Sequence, residues 1–400
     1  MSADADPGLI LDPQYWGQHG FPHAAAKALR KNEPVRRYES DLVDPFWLIT
    51  RHADIVEISR NPNLWTSTER SMIGMRRDNP APMRTMLDMD PPEHTKHRKI
   101  YRDWLTPRNV RRMTSRFDEI SRELIDEMAT TNEGNFVDLL AAPHPLRMIC
   151  GLLGVGREDE DTVLQIAKRA FGQEDEDFAG DAGHFERAIA FCANLIESRK
   201  REPRDDLASA IANASIDDNP LAPIEAMSHV LVLVTAGHDT TASAISGGLL
   251  ALIRNPAELE KLQTQPQLIA TAIDEIIRFV TPTTNFLRAA TEDTVLRGVS
   301  IAKGQDVCIN FASANRDEDV FDAPDEFRVD RNPNPHLGFG TGTHACIGQT
   351  LAKAEMQSLF EELIPRIRNI ELAGEPRWVD AFWISSLKSL PIRYELSESR

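Results

Sequence analysis

One cysteine in this chain stands in surroundings suited to chemistry. The segment Phe339-Gly340-Thr341-Gly342-Thr343-His344-Ala345-Cys346-Ile347-Gly348 sets Cys346 in a glycine-rich turn, and a helical pattern begins at Gln349. Glycines 340, 342 and 348 let the backbone turn tightly and approach a flat ligand. A cysteine just before a helix meets exposed N–H groups and the positive end of the helix dipole, which stabilise a thiolate. Thiolate is a strong iron ligand, and its electron density favours O–O cleavage. Cysteines without such a setting are mostly packing residues, and Cys150, Cys192 and Cys308 read that way. The four cysteines lie far apart with no CxxC pair. Zinc ribbons, iron–sulfur clusters and a disulfide framework are therefore not expected.

Two further groups carry chemistry. Glu275 and Arg278 are spaced i, i+3 and share a helical face. Alone, such a pair is an ordinary surface contact of little worth. The most apolar stretch, from about His229 to Ile253, is interrupted at its centre by His238, Asp239, Thr240 and Thr241. It is long enough to span a bilayer, but the polar break favours a buried core helix. Gly237 leaves room for a ligand. The Thr240 hydroxyl can bond back to a carbonyl or out to a ligand, and Asp239 can relay protons.

These residues must be positioned by a mostly helical frame. Helical periodicity covers 109–130, 182–200, 222–254, 267–280 and 349–366. Val35–Thr50 and Thr291–Asn310 read as short strands with turns, and Pro-rich turns fall at 80–92 and 323–335. The expectation is one mainly α domain over residues 1–400 with a small β portion, preceded by a tail of about 14 residues. The acidic run 174–177 reads as a solvated loop between two helices. A net charge of −17 argues against nucleic-acid binding. The N-terminus lacks a basic-then-apolar leader, so a cytoplasmic protein with no membrane attachment is expected.

On these motifs the chain resembles the cytochrome P450 family, from about Tyr15 to Tyr394. Among bacterial class I members it is most similar to the α-terpineol-hydroxylating subfamily. Ala236-Gly237-His238-Asp239-Thr240-Thr241, Ser313-Ala314-Asn315-Arg316-Asp317-Glu318 and His336-Leu337-Gly338-Phe339-Gly340 carry that likeness. The resemblance implies an α-helical prism with short β-sheets, holding haem b on Cys346. Glu275 and Arg278 would anchor the core beneath the haem. Ala236 and Gly237 would lie beside it, with Asp239 and Thr240 catalytic. The family varies at the place of His238, which is read as structural. Haem carries two propionates, and buried carboxylates need cationic or hydrogen-bonding partners. Asp90-Pro91-Pro92-Glu93-His94-Thr95-Lys96-His97-Arg98 resembles the family's DPPxHxxxR helix start. His94, Arg98, Arg288 and His344 are the expected propionate clamp.

The implied reaction is RH + O2 + two electrons + two protons giving ROH + H2O. No dinucleotide fingerprint is present, so electrons are expected from an iron–sulfur ferredoxin and its NAD(P)H-dependent reductase. Between Lys96 and Arg116 lie eight Lys or Arg and a single acid, Asp103. Such a basic patch suits an acidic ferredoxin. Residues 69–89 match the family's variable loop over the haem. They hold five of the chain's 11 methionines and no aromatic residue, which suits a small hydrophobic substrate, terpenoid or aromatic or alicyclic hydrocarbon. Met86, Val232, Thr235, Ala236, Thr284 and Ile384 are the expected pocket wall. Two other readings are a peroxide-using or non-oxygenating haem-thiolate enzyme, which tends to lose the acid–alcohol pair present here, and a haem sensor or carrier, which needs no proton relay.

Overall fold

The computed structural model describes residues 3–78, 83–171, 174–177 and 183–398. The helix Pro223–Arg254 is apolar on most sides and buried over most of its length. The helices Pro143–Leu153, Glu160–Phe171, His184–Arg201 and Ile269–Val280 pack around it. Its polar centre does not break the helix. The hydroxyls of Thr240, Ser243 and Ser246 donate back to the carbonyls of Ala236, Asp239 and Ala242, at 2.7, 2.5 and 2.8 Å. Back-bonding satisfies these side chains without costing the backbone its own bonds. Among the described residues no helix is long and apolar enough to cross a membrane.

Local chemistry fixes where helices begin and stop. Pro107–Met128 opens on Thr106, whose side chain accepts from the Asn109 N–H, with proline at the first position. Gln349–Leu363 ends earlier than the periodicity suggests, because Pro365 has no N–H to continue the ladder.

The larger sheet has five strands in the order Val35–Tyr38, Phe46–Ile49, Asp306–Asn310, Asn285–Ala290 and Trp65–Thr66. The Asn285–Ala290 strand pairs Arg288 with Val307. Alternation sends Leu287 into the apolar cluster of Trp16 and Phe46, while Phe286 and Arg288 face the opposite way.

Two expectations need correction. The acidic run is not simply a solvated loop. Asp175 is buried, lies 2.9 Å from Lys388 Nζ, and accepts the Asp380 N–H at 2.9 Å. A largely buried ammonium recruits the carboxylate out of solvent. The first 14 residues are also not a free tail from Pro7 onward. Ile10 is buried, Trp16 Nε1 donates to the Leu9 carbonyl, and the Tyr38 hydroxyl donates to the Pro7 carbonyl. Residues 80–82 of the Pro-rich turn, and residue 182 of the expected helix, lie outside the described residues.

Candidate active site

The cysteine loop is tied by its own backbone. The Gly340 N–H donates to the Leu337 carbonyl at 2.9 Å, Ala345 to Gly342 at 3.2 Å, and Cys346 to Phe339 at 2.8 Å. Gly342 sits at φ +73°, and a Cβ there would fall 2.0 Å from the Ser59 carbonyl oxygen. Only glycine fits. Gly348 has an ordinary φ of −86°, so the turn does not demand a glycine there.

Cys346 is exposed to a cavity of about 680 Å³ that it helps to line. Burial pushes its thiol up. The Gly348 N–H, the Arg98 guanidinium and the Gln349 N–H pull the other way. The net effect of the surroundings is upward, and a metal cation on the sulfur would favour the thiolate.

The central helix forms another wall, with Ala236, Gly237 and Thr240 on the cavity. A Cβ on Gly237 would meet Ile149 Cδ1 at 3.1 Å, so glycine also lets the neighbouring helix pack close. Asp239 does not line the cavity. Its Oδ1 lies 2.6 Å from His238 Nδ1, and His238 Nε2 lies 3.1 Å from the Ala142 carbonyl oxygen. The structure thus places Thr240 on the cavity and turns Asp239 towards His238.

His94, Arg98, Arg288 and His344 gather on the cavity wall. The rings of His94 and His344 stack at 4.1 Å. Burial, with His344 and Arg98 beside it, pulls His94 down to about 3. Burial also lowers His344, against a raising influence from Asp90. His344 Nε2 is 3.9 Å from Asp90 Oδ1, too far for a direct bond, and 3.2 Å from Ser67 Oγ. Arg288 is buried and pulled down to about 10 by that burial. Its Nη1 donates to the Leu287 carbonyl at 2.6 Å. Among the described residues neither Arg98 nor Arg288 has a carboxylate within ion-pair distance. Crowded, desolvated cations of this kind call for anionic ligands.

The expected pocket wall is met in part. Met86, Val232, Thr235 and Ala236 line the cavity, as do Met72, Met75 and Met83. Thr284 and Ile384 do not, and this is a correction. Both are buried behind the wall, and their neighbours Thr283 and Trp383 line it instead. In extended backbone a one-residue offset reverses the side chain's face. Trp383 also supplies an aromatic wall that the variable loop lacks.

Beneath the loop, Glu275 and Arg278 are fully buried and bidentate, at 2.7 and 2.8 Å. Arg331 adds a third charge, its Nε 3.0 Å from Glu275 Oε2. Sequence reasoning missed Arg331, since nothing local to it signals a partner 56 residues away.

Fold and site together define a mainly helical protein that encloses a large cavity between a cysteine loop and a long central helix. A model described as Cytochrome P450 matches residues 178–378. Cytochrome P450-terp from Pseudomonas sp is 33% identical, with 96% of each chain covered. Linalool 8-monooxygenase from Pseudomonas putida is 32% identical, covering 96% of this chain and 98% of that protein. The crystal structure of CYP108D1 from Novosphingobium aromaticivorans matches with a TM-score of 0.89, at 32% identity and 98% coverage of both chains. The chain belongs to the cytochrome P450 family. It is a haem-thiolate monooxygenase that uses haem b. The site fits that group. It offers a thiol, a large cavity, and two guanidiniums without carboxylate partners to meet two propionates.

Proposed function

We propose that the Cys346 sulfur would bind the haem iron, and that His94, Arg98, Arg288 and His344 would hold its propionates. The observation that carries this reading is the convergence of one cysteine sulfur and two ion-pair-free guanidiniums on a single cavity. Bound haem supplies the oxidation of an unreactive C–H bond with one atom of O2.

The chain's own residues do the rest. The cavity walls exclude water and orient the substrate. Thr240 presents its hydroxyl to the cavity, with its proton already donated to the Ala236 carbonyl. Its oxygen therefore acts there as a hydrogen-bond acceptor. Asp239 serves as the proton source for oxygen activation.

The substrate is a small hydrophobic molecule, a terpenoid or an aromatic or alicyclic hydrocarbon, hydroxylated once. The methionine-rich wall supports that class, because Met adapts to apolar shapes. Linalool 8-monooxygenase among the relatives supports it too. Electrons come from a ferredoxin and its reductase, in the cytoplasm. Arg108, Arg111 and Arg112 are exposed and suited to meet an acidic partner.

Cys346→Ser tests the core of this reading. It should abolish the red-shifted ferrous–CO band of haem-thiolate even where haem still binds. A retained band would overturn it. A spin-state titration with terpenoids, alkylbenzenes and steroids, followed by product analysis, tests the substrate class. An unmoved Soret band with both terpenoids and alkylbenzenes would overturn that part.

A further inference from the structure

Both ring nitrogens of His238 face acceptors. Nε2 points at the Ala142 carbonyl and Nδ1 at Asp239 Oδ1. The imidazole is buried, and the Asp239 side chain keeps slight solvent contact. A carbonyl can only accept, so the Nε2 proton is held in place. The 2.6 Å gap between Nδ1 and Oδ1 then holds one further proton. On nitrogen it makes an imidazolium beside a carboxylate. On oxygen it makes a neutral imidazole beside a carboxylic acid. Either form satisfies the bonds to His238. Removing the proton sets a lone pair against a carboxylate, which is unfavourable in a desolvated site. Among the described residues no lysine or arginine lies within ion-pair distance of Asp239. Arg147, on the adjoining helix, is turned to Glu123 and Glu127 instead.

We propose that His238 is a positioning residue that keeps one transferable proton on the Asp239 carboxyl. The proposal rests on the relay reading of Asp239 given above. In the step, the Nδ1–H bond breaks and an O–H bond forms at Oδ1. His238 becomes neutral with its proton on Nε2, and Asp239 becomes a neutral acid. The acid gives up that proton for oxygen activation, which leaves the Asp239 carboxylate beside neutral His238, and a hydronium ion from solvent reprotonates Nδ1 and leaves as water. Thr240 is not the initial source, because its hydroxyl proton is engaged by the Ala236 carbonyl.

The test uses the haem-loaded enzyme with its redox partners and a substrate identified by spin-state titration. Turnover of His238→Gln, His238→Phe, Asp239→Asn and the Asp239→Asn/His238→Gln double variant is measured in H2O and D2O. Each variant is first checked for an intact ferrous–CO band. Glutamine can donate a hydrogen bond but cannot release a proton at this site. Both His238 variants should therefore lose kcat on the order of 100-fold. Their solvent isotope effect should rise, more oxygen should be lost as peroxide, and the substrate Kd should stay unchanged. The double variant should be no slower than Asp239→Asn, since His238 acts through that carboxyl. Wild-type kcat and isotope effect in His238→Gln would overturn the proposal, because a purely structural bond is rescued by an amide. Multiplying losses in the double variant would overturn it as well. Full turnover in Asp239→Asn would instead overturn the relay reading itself, and this proposal with it.

Discussion

Arg98 Nη2 donates to the carbonyl of Ala345 at 2.9 Å, one residue before Cys346. The guanidinium therefore has two tasks. It pins the cysteine loop to the helix Glu93–Arg102, and it places positive charge beside the sulfur. Burial lowers Arg98, and the Cys346 side chain opposes that. Arg98→Ala removes both the tether and one of two guanidiniums free for propionates. A charge-assisted bond contributes about 1.5–3 kcal/mol. Haem should therefore leave this variant roughly 10- to 100-fold faster, measured by transfer to an excess of a haem-scavenging apoprotein. Arg98→Lys should recover part of the loss, because a lysine keeps the charge but not the planar fork. Release at the wild-type rate from Arg98→Ala would remove Arg98 from the clamp.

The glycine turn around Cys346, the long central helix and the Glu275–Arg278 pair were legible because each depends on short-range pattern, whereas the clamp of His94, Arg98, Arg288 and His344 came from the family resemblance. A glycine-flanked cysteine before a helix, an i, i+3 ion pair and an apolar run with a polar centre are all local signals. What was not legible depends on distant partners. Lys388 lies 213 residues from Asp175, and their pairing leaves no local trace. Arg331 reaches Glu275 in the same way. Thr284 and Ile384 were misplaced for another reason. Their segment was located, but the facing of a side chain in extended backbone depends on register, and register is set by the pairing partner. The bridge between Thr283 and Ile384 fixes it here. His238 was read as structural because the family varies at its place, and sequence does not reveal which acceptors its two nitrogens meet.

The basic stretch after the clamp helix leads to a kinetic expectation. Arg108, Arg111 and Arg112 are exposed, and none has a carboxylate within ion-pair distance among the described residues. Cations left free in a chain of net charge −17 form a local exception to its field. Opposite charges across an interface raise encounter rates by roughly 10- to 1000-fold at low salt. Reversing all three to glutamate should slow reduction by an acidic ferredoxin by at least about tenfold at low ionic strength. The salt dependence should flatten, because screening acts on the attraction that has been removed. Stopped-flow reduction rates across a salt series decide this. Unchanged rates and slopes would rule out docking at this patch.

The Asp175–Lys388 pair ties the segment between two cavity-lining helices to the C-terminal strands. Asp175 also holds the Asp380 N–H, so removing its carboxyl leaves a largely buried ammonium and an amide donor in need of partners. Breaking a buried pair costs about 3–5 kcal/mol. Asp177 also reaches Lys388 and softens the loss, so Asp175→Ala should fall near the lower end. Asp175→Asn keeps an acceptor for Asp380 and should be milder. The melting temperature of the haem-loaded protein reads both. Equal melting for wild type and Asp175→Ala would show that the tether is dispensable.

A buried histidine gives the fold a defined acid sensitivity. His144 is fully buried, its Nε2 is 2.9 Å from Ser121 Oγ, and its Nδ1 has no partner among the described residues. Burial, helped by Arg147, pulls its pKa down to about 3. In the unfolded chain the ordinary value of about 6.5 returns. Above that value neither state binds the proton, and the group is silent. As pH falls below it, the unfolded chain takes up a proton that the native state refuses, so stability declines. The slope is about 1.4 kcal/mol per pH unit for one such group, and it ends near the folded value. His229, also pulled down to about 3 by burial, adds a second contribution of the same sign. Urea unfolding of the haem-loaded protein at pH 7, 6 and 5 should therefore show a steepening loss of stability below pH 6.5. His144→Gln offers the Ser121 hydroxyl an amide and does not titrate. Between pH 6 and 5 its stability should fall by about 1.2 kcal/mol less than that of wild type. If the two proteins lose stability in parallel, His144 already carries its proton in the native state, and its surroundings are more polar than its packing indicates.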